Sequence, residues 1–259
     1  MYTKKQIKEQ LNTFQKALGH HVHIHSSLKS VGKVEGDGEG LLDMLVSYFT
    51  QENGMVSFPT HTWAKNRLDL RVHETCTGML GKLALQRKDG IRSKHTTHSM
   101  VVFGKDAAEY VKWDESAITS TSPDGCYGKL YDTDGYILLI GVNQNKNTFI
   151  HTVEEALQLP NRVTKERHNT ILVNEDGTEI IWPMHLVFEE YGDISQHFQK
   201  LEPAFQYHGA LIKGCIGDAE ATLCNVRRMR EVITLIHQRS NQVELFLDDE
   251  PLQEEWYKG

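Results

Sequence analysis

The segment at 135–155, GYILLIGVNQNKNTFIHTVEE, constrains the fold more than any other. Its apolar run, residues 136–140, is bounded by Gly135 and Gly141. Apolar residues in succession, without alternation, fit a strand buried on both faces. Such a strand requires layers of structure on both sides of its sheet. A polar loop at 143–147 follows, and helical spacing begins at Thr148. His151 and Glu154, at i and i+3, share one face of that helix and can touch. A histidine backed by a carboxylate, just past the carboxyl end of a buried strand, is a candidate proton-transfer site.

The same alternation of strand and helix runs along the rest of the chain. Residues 4–18 read as helix and 22–25 as a short strand. A glycine-rich turn at 36–40 precedes a helix at 41–49, and 55–58 form a strand that Pro59 stops. Residues 79–86 read as helix, 100–103 as strand and 106–111 as helix. Residues 171–181 read as a hairpin around Asp176-Gly177, and segments at 193–201 and 218–238 give a helical C-terminal part. The expected architecture is α/β: a mixed, mainly parallel sheet covered by helices on both faces, with the hairpin making it mixed. With no repeat or Pro/Ser-rich linker, one domain over residues 1–259 is expected.

A formal charge of −7 over 259 residues argues against a broad basic surface for nucleic acid. It suits a cationic small molecule. No apolar run approaches the roughly 18 residues of a membrane span, and no basic-plus-apolar leader is seen, so a cytoplasmic protein is expected. Cys76, Cys126, Cys215 and Cys224 are scattered without a CxxC pair, which fits reduced thiols.

Four further clusters bear on chemistry. His21, His23 and His25 share one strand face. That suits a metal-dependent hydrolase, but further ligands at recognisable spacing are missing and no metal is expected. The alternative is a partly polar strand entering a loop. That loop, His25-Ser-Ser-Leu-Lys-Ser-Val-Gly32, offers hydroxyls, amides and a lysine to a phosphate, although GxxxxGK[ST] is absent. Residues 90–100, with Arg92, are either a pyrophosphate or 3′-phosphate site or a solvated loop. Within Pro59-Thr-His-Thr-Trp63, Trp63 either stacks on a sugar with His61 nearby or anchors the loop to the core. Neither a Gly-x-Ser-x-Gly elbow nor a cysteine in a nucleophile setting accompanies His151. A base without a protein nucleophile points to direct attack by a substrate amine, hydroxyl or water. Glu154 and Glu155 also suit the first turns of a helix as simple dipole partners.

In chain order, these segments resemble the aminoglycoside 3-N-acetyltransferase family, antibiotic N-acetyltransferases that lack the GNAT fold. The likeness spans His25-Ser-Ser-Leu-Lys-Ser-Val-Gly32, Gly54-Met-Val-Ser-Phe-Pro-Thr-His-Thr62 and Arg92-Ser-Lys-His-Thr-Thr-His-Ser99. It continues through Ser122-Pro123, Gly128-Lys-Leu130 and Leu138-Leu-Ile-Gly141 to Thr148-Phe-Ile-His-Thr-Val-Glu154, which fits TxLHxxE. Thr96 stands where the family usually has proline. The resemblance implies that acetyl-CoA, as co-substrate, lies along Ser26, Ser27, Leu28, Lys29, Ser30 and Val31. Arg92, Ser93 and Ser99 would then sit near its phosphates or pantetheine. It implies that His151 takes the proton of the acceptor amine, that Glu154 orients the ring and that Thr148 is a candidate oxyanion donor. His61, Trp63 and Asp218 are candidate acceptor contacts. The expected acceptor is the 3-amino group of a 2-deoxystreptamine aminoglycoside, with another amine as the alternative. A protein that binds coenzyme A without turnover is a further alternative; monomer or homodimer are both open.

Overall fold

The computed structural model describes residues 1–63, 66–72, 74–187 and 191–259. In chain order the elements are α1 (Lys4–Leu11), β1 (His21–Ser26), α2 (Leu28–Val31), α3 (Asp37–Phe49), β2 (Met55–Pro59), β3 (Arg67–Asp69) and α4 (Gly78–Gln86). Next come β4 (Ile91–Arg92), β5 (Met100–Phe103), α5 (Ala107–Tyr110), α6 (Cys126–Asp132), β6 (Tyr136–Ile140) and α7 (Phe149–Ala156). The chain ends with β7 (Val163–Val173), β8 (Glu179–Val187), α8 (Glu202–Tyr207), β9 (Leu211–Ile216), β10 (Ala219–Asn225) and α9 (Val226–Arg239).

The main sheet has seven strands in the order β4-β5-β2-β1-β6-β10-β9. β1 is parallel to both β2 and β6, while β5 and β10 run against their neighbours. All strands but β5 and β10 therefore point the same way, a mixed sheet that is mainly parallel, as expected. What makes it mixed differs from the expectation. The hairpin β7–β8 joins β3 in a separate three-stranded sheet. That sheet packs around Leu68, Leu172, Trp182 and Met184.

Alternation along β1 explains the two-layered core. Val22 and Ile24, with Val56, Phe58, Leu138 and Ile140 of the neighbouring strands, face Ile7, Leu11, Leu45 and Phe49 on one side. Ile137 and Leu139 face Tyr127, Phe149, Ile150, Met229 and Ile233 on the other. Burying Phe or Leu side chains of this kind is worth about 1.5–3 kcal/mol each. Local chemistry sets the helix starts. Thr3 and Gln6 form a reciprocal capping box on α1, and the Asn225 side chain accepts from the Arg228 amide to open α9.

Three local expectations need correction. Residues 37–40 belong to helix α3 rather than to a turn before it. Asp37 and Glu39 favour its positive end, and Gly40 packs so closely that a Cβ would lie 2.1 Å from the Glu35 carbonyl oxygen. The helix expected at 4–18 gives way to a 3-10 turn from Asn12. Residues 218–225 are the turn and strand β10, not helix; its register pairs Leu223 with Leu138 on the buried strand β6.

Candidate active site

The parallel strands β2, β1 and β6 end side by side at Pro59, Ser26 and Ile140. The loops that leave them open into a cleft of about 450 Å³. Small-molecule sites of α/β sheets sit at such carboxyl edges. His25 and Ser26, His61 and Trp63, and Thr148 and His151 line it, one pair from each strand end.

His151 is in the first turn of α7, whose cap residue is Thr148. Its Nδ1 lies 2.8 Å from Glu154 Oε2, as the i,i+3 spacing requires. Glu154 is fully buried, and its other oxygen accepts from Arg162 Nε at 2.5 Å. Arg162 in turn gives Nη2 to both oxygens of Glu244 and Nη1 to the Pro160 carbonyl. The carboxylate is thus held at both ends. A carboxylate only accepts, so Nδ1 of His151 carries a proton, and in the neutral ring Nε2 is the nitrogen with the lone pair. The ring is partly exposed and packs edge-on against Phe198 at 4.8 Å.

Behind the cleft a chain of hydrogen bonds runs through the sheet. Ser57 Oγ lies 2.7 Å from His21 Nε2 and 2.8 Å from His23 Nδ1. The Tyr127 hydroxyl lies 3.2 Å from His23 Nε2 and 2.8 Å from His61 Nε2. Burial pulls the basicity of His21 and His25 down to about 3 and holds His23, His61 and His98 well below the usual range. These imidazoles are neutral. Three histidines do share the strand face, but Ser57 sits between the first two. Among the described residues no group of three His, Cys, Asp or Glu side chains is placed to hold a metal ion.

The remaining candidates scatter. Trp63 is 56% exposed, which decides against a core anchor; its ring stands edge-on to His98 at 5.0 Å. Ser26 reaches the cleft. Ser27 and Ser30 bond each other, Leu28 is half-buried, Lys29 is exposed, and the Val31 side chain is in the core. Arg92 Nε donates to Ser99 Oγ, while both terminal nitrogens are buried without a partner among the described residues. Burial lowers that guanidinium to about 10. Ser93 Oγ accepts from the Met100 amide, and Ser99 Oγ donates to the Thr60 carbonyl. Arg92, Ser93 and Ser99 thus stand behind the cleft wall rather than on it. Thr96 is buried with its hydroxyl on Met184 Sδ. Asp218 lies at the β9–β10 turn, where it accepts from the Tyr2 hydroxyl at 2.6 Å and does not line the cleft.

Sequence reasoning missed Arg162 and Tyr127 and left Glu155 as a dipole partner. Arg162 is eight positions from Glu154, beyond helical neighbours, so only the fold unites them. Glu155 lines the cleft, and each of its oxygens accepts a hydroxyl at 2.5 Å, from Thr119 and Thr121.

Residues 24–236 match the family model described as aminoglycoside 3-N-acetyltransferase. The SPbeta prophage-derived aminoglycoside N(3′)-acetyltransferase-like protein YokD of Bacillus subtilis (strain 168) is 25% identical over 250 residues, covering 85% of this chain and 87% of the relative. A crystal structure of an aminoglycoside acetyltransferase AAC(3)-IVa mutant in complex with a gentamicin superposes with a TM-score of 0.79 at 19% identity, covering 93% and 90% of the two chains. The binary structure of AAC-IIIb with CoASH superposes at 0.78 and 16% identity, covering 92% and 97%. With its fold shared and most of its length matched, this chain belongs to the aminoglycoside 3-N-acetyltransferase family, whose co-substrate is acetyl-CoA.

Proposed function

We propose that this protein transfers the acetyl group of acetyl-CoA directly to the 3-amino group of a 2-deoxystreptamine aminoglycoside, with His151 as general base. The observation that carries the reading is the wiring of His151. Its Nδ1 is fixed on the fully buried Glu154, itself locked by Arg162. Nε2 is left as the proton acceptor on a ring that lines the cleft. As the amine nitrogen bonds to the acetyl carbon, its proton passes to Nε2; the carbon–sulfur bond breaks, and the departing thiolate takes that proton from the imidazolium to leave as the thiol. Glu154 holds the tautomer and steadies the imidazolium that forms. Assistance of this kind is worth about 10²–10⁴-fold; holding both substrates side by side contributes further.

The end of β1 and the short helix α2, not a loop as expected, support a coenzyme A position at the cleft edge, with Ser26 on the cleft and Lys29 exposed. Arg92 stands behind the cleft wall, so we propose that its guanidinium favours the anionic coenzyme A end through its charge rather than by contact, with Ser93 and Ser99 bracing its loop. Trp63 and His61 are the acceptor contacts we propose, the exposed indole offering a face to a sugar. Thr148, on the cleft at the cap of α7, is the oxyanion donor we propose.

Thiol release from acetyl-CoA in the presence of an aminoglycoside panel tests the assignment. Release with gentamicin- or tobramycin-type acceptors is expected. Release with other amines and none of the aminoglycosides would move the acceptor to the other class. No release with any amine would refute acetyl transfer.

A further inference from the structure

The wiring of Glu154 leaves its neighbour unexplained. Glu155 is half-buried on the cleft, and desolvation pushes its carboxyl up while the two threonine hydroxyls act to keep it ionised. Each oxygen accepts one hydroxyl proton, and the Thr121 amide also acts on the carboxylate, which still leaves a lone-pair direction for another donor. The two hydroxyls have no second proton to offer a ligand. Among the described residues no cation forms an ion pair with it: Arg162 serves Glu154 and Glu244, and His151 serves Glu154. Lys146, exposed on the same cleft, acts on His25. The cleft therefore holds a braced carboxylate with an unfilled acceptor direction and, among the described residues, no countercharge at contact.

We infer that Glu155 is the subsite for a second ammonium group of the acceptor, so that the enzyme selects diamines over monoamines. This rests on the acetyl-transfer reading and refines its substrate class. His151 and Glu155 are at i and i+4 on α7, so their side chains share a face. Cβ atoms so spaced lie about 5–6 Å apart, the order of the nitrogen–nitrogen separation in a 1,3-diamine. At neutral pH an acceptor's non-reacting amines are charged. An ammonium donating to Glu155 fills the free acceptor direction and cancels the charge, while the other nitrogen, deprotonated, faces Nε2 of His151.

The test is Glu155→Gln, which keeps the shape and removes the charge, assayed with gentamicin and with glucosamine as a monoamine. The KM for gentamicin should rise about 10- to 100-fold, the worth of a charge-assisted hydrogen bond. The KM for glucosamine and the affinity for coenzyme A should move far less. Thr121→Val, which removes one hydroxyl brace and leaves the charge, should raise the gentamicin KM by about 3- to 10-fold. Equal KM for gentamicin in wild type and Glu155→Gln overturns the inference while leaving acetyl transfer intact. If the wild type releases no thiol with any amine, calorimetry with gentamicin decides: equal binding by the two proteins, or none by either, also overturns it.

Discussion

Acid should unfold this protein earlier than its carboxylates alone would dictate, because histidines are buried neutral in the middle of the sheet. His21 and His25 are held near 3 by burial, against an ordinary value of 6.5. In the unfolded chain they protonate as pH falls through 6.5; in the folded chain they do not until about pH 3. The unfolded state therefore binds more protons between those limits, and stability drops as pH falls through that window. At pH 7 the effect is nearly absent. At pH 5 each contributes a loss of about 2 kcal/mol, so the pair removes about 4 kcal/mol. His23, His61 and His98 are shifted the same way by burial and add to the loss. Glu155, raised by burial, works in the opposite sense, but it is a single group. Against a typical stability of about 5–15 kcal/mol, the chain should be close to its unfolding midpoint by pH 5. Urea unfolding followed by tryptophan fluorescence at pH 7.5, 6.5, 5.5 and 5.0 measures this above the range where ordinary carboxylates titrate. The slope between pH 6 and 5 should correspond to uptake of two or more protons on unfolding. His21→Gln, which removes one titrating group while keeping a partner for Ser57, should reduce that slope by about one proton. Stability that stays flat from pH 7 to 5 would refute the reasoning, since it would mean these imidazoles titrate alike in both states.

Three substitutions probe the site. His151→Ala should lower turnover at least about a hundredfold while coenzyme A affinity, read by calorimetry, stays near that of the wild type; unchanged turnover would remove it from the chemistry. Arg162→Gln strips a buried carboxylate of its cation, so it should cost about 3–5 kcal/mol in urea unfolding and lower kcat as well; a neutral result would mean Glu154 needs no countercharge. Tyr127→Phe leaves His23 and His61 without their shared hydroxyl partner and should destabilise by about 1–3 kcal/mol. Its kcat should fall less than that of His151→Ala; the reverse order would make the phenol part of the chemistry.

What was legible in the sequence was what local periodicity encodes. The strand at 136–140 carries its burial in its letters, and Thr148 with His151 and Glu154 carries the helix start and the shared face. The edge of the sheet was not legible in the same way. β10 reads Ala-Glu-Ala-Thr-Leu-Cys-Asn, whose apolar residues run directly into the helical spacing of α9, so a strand and a helix merge into one apparent segment. The strand forms because β6 offers an unpaired edge to it, which is tertiary information. The hairpin turn at Asp176-Gly177 was visible, since Gly177 adopts φ +86°. That its strands would leave the main sheet for β3 was not, because pairing partners lie about a hundred residues away. The histidine alternation showed a shared face but not its purpose, which depends on Ser57 of the neighbouring strand.

Glu154 and Glu155 show where such reading stops. They are the same residue type at consecutive positions on one helix, and both lie within helical reach of His151. Propensity, charge and dipole arguments treat them alike. Their surroundings do not. Glu154 is fully enclosed between an imidazole and a guanidinium, so its charge has a partner inside the protein, and in the function we propose it fixes the His151 tautomer. Glu155 is held by hydroxyls from residues 34 and 36 positions earlier, so its charge is braced but not cancelled. Paired titratable groups with divergent environments mark divided roles in a site. On the function we propose, this division gives the inner carboxylate to the base and the outer one to the acceptor. Exchanging their environments, not their letters, would exchange their roles.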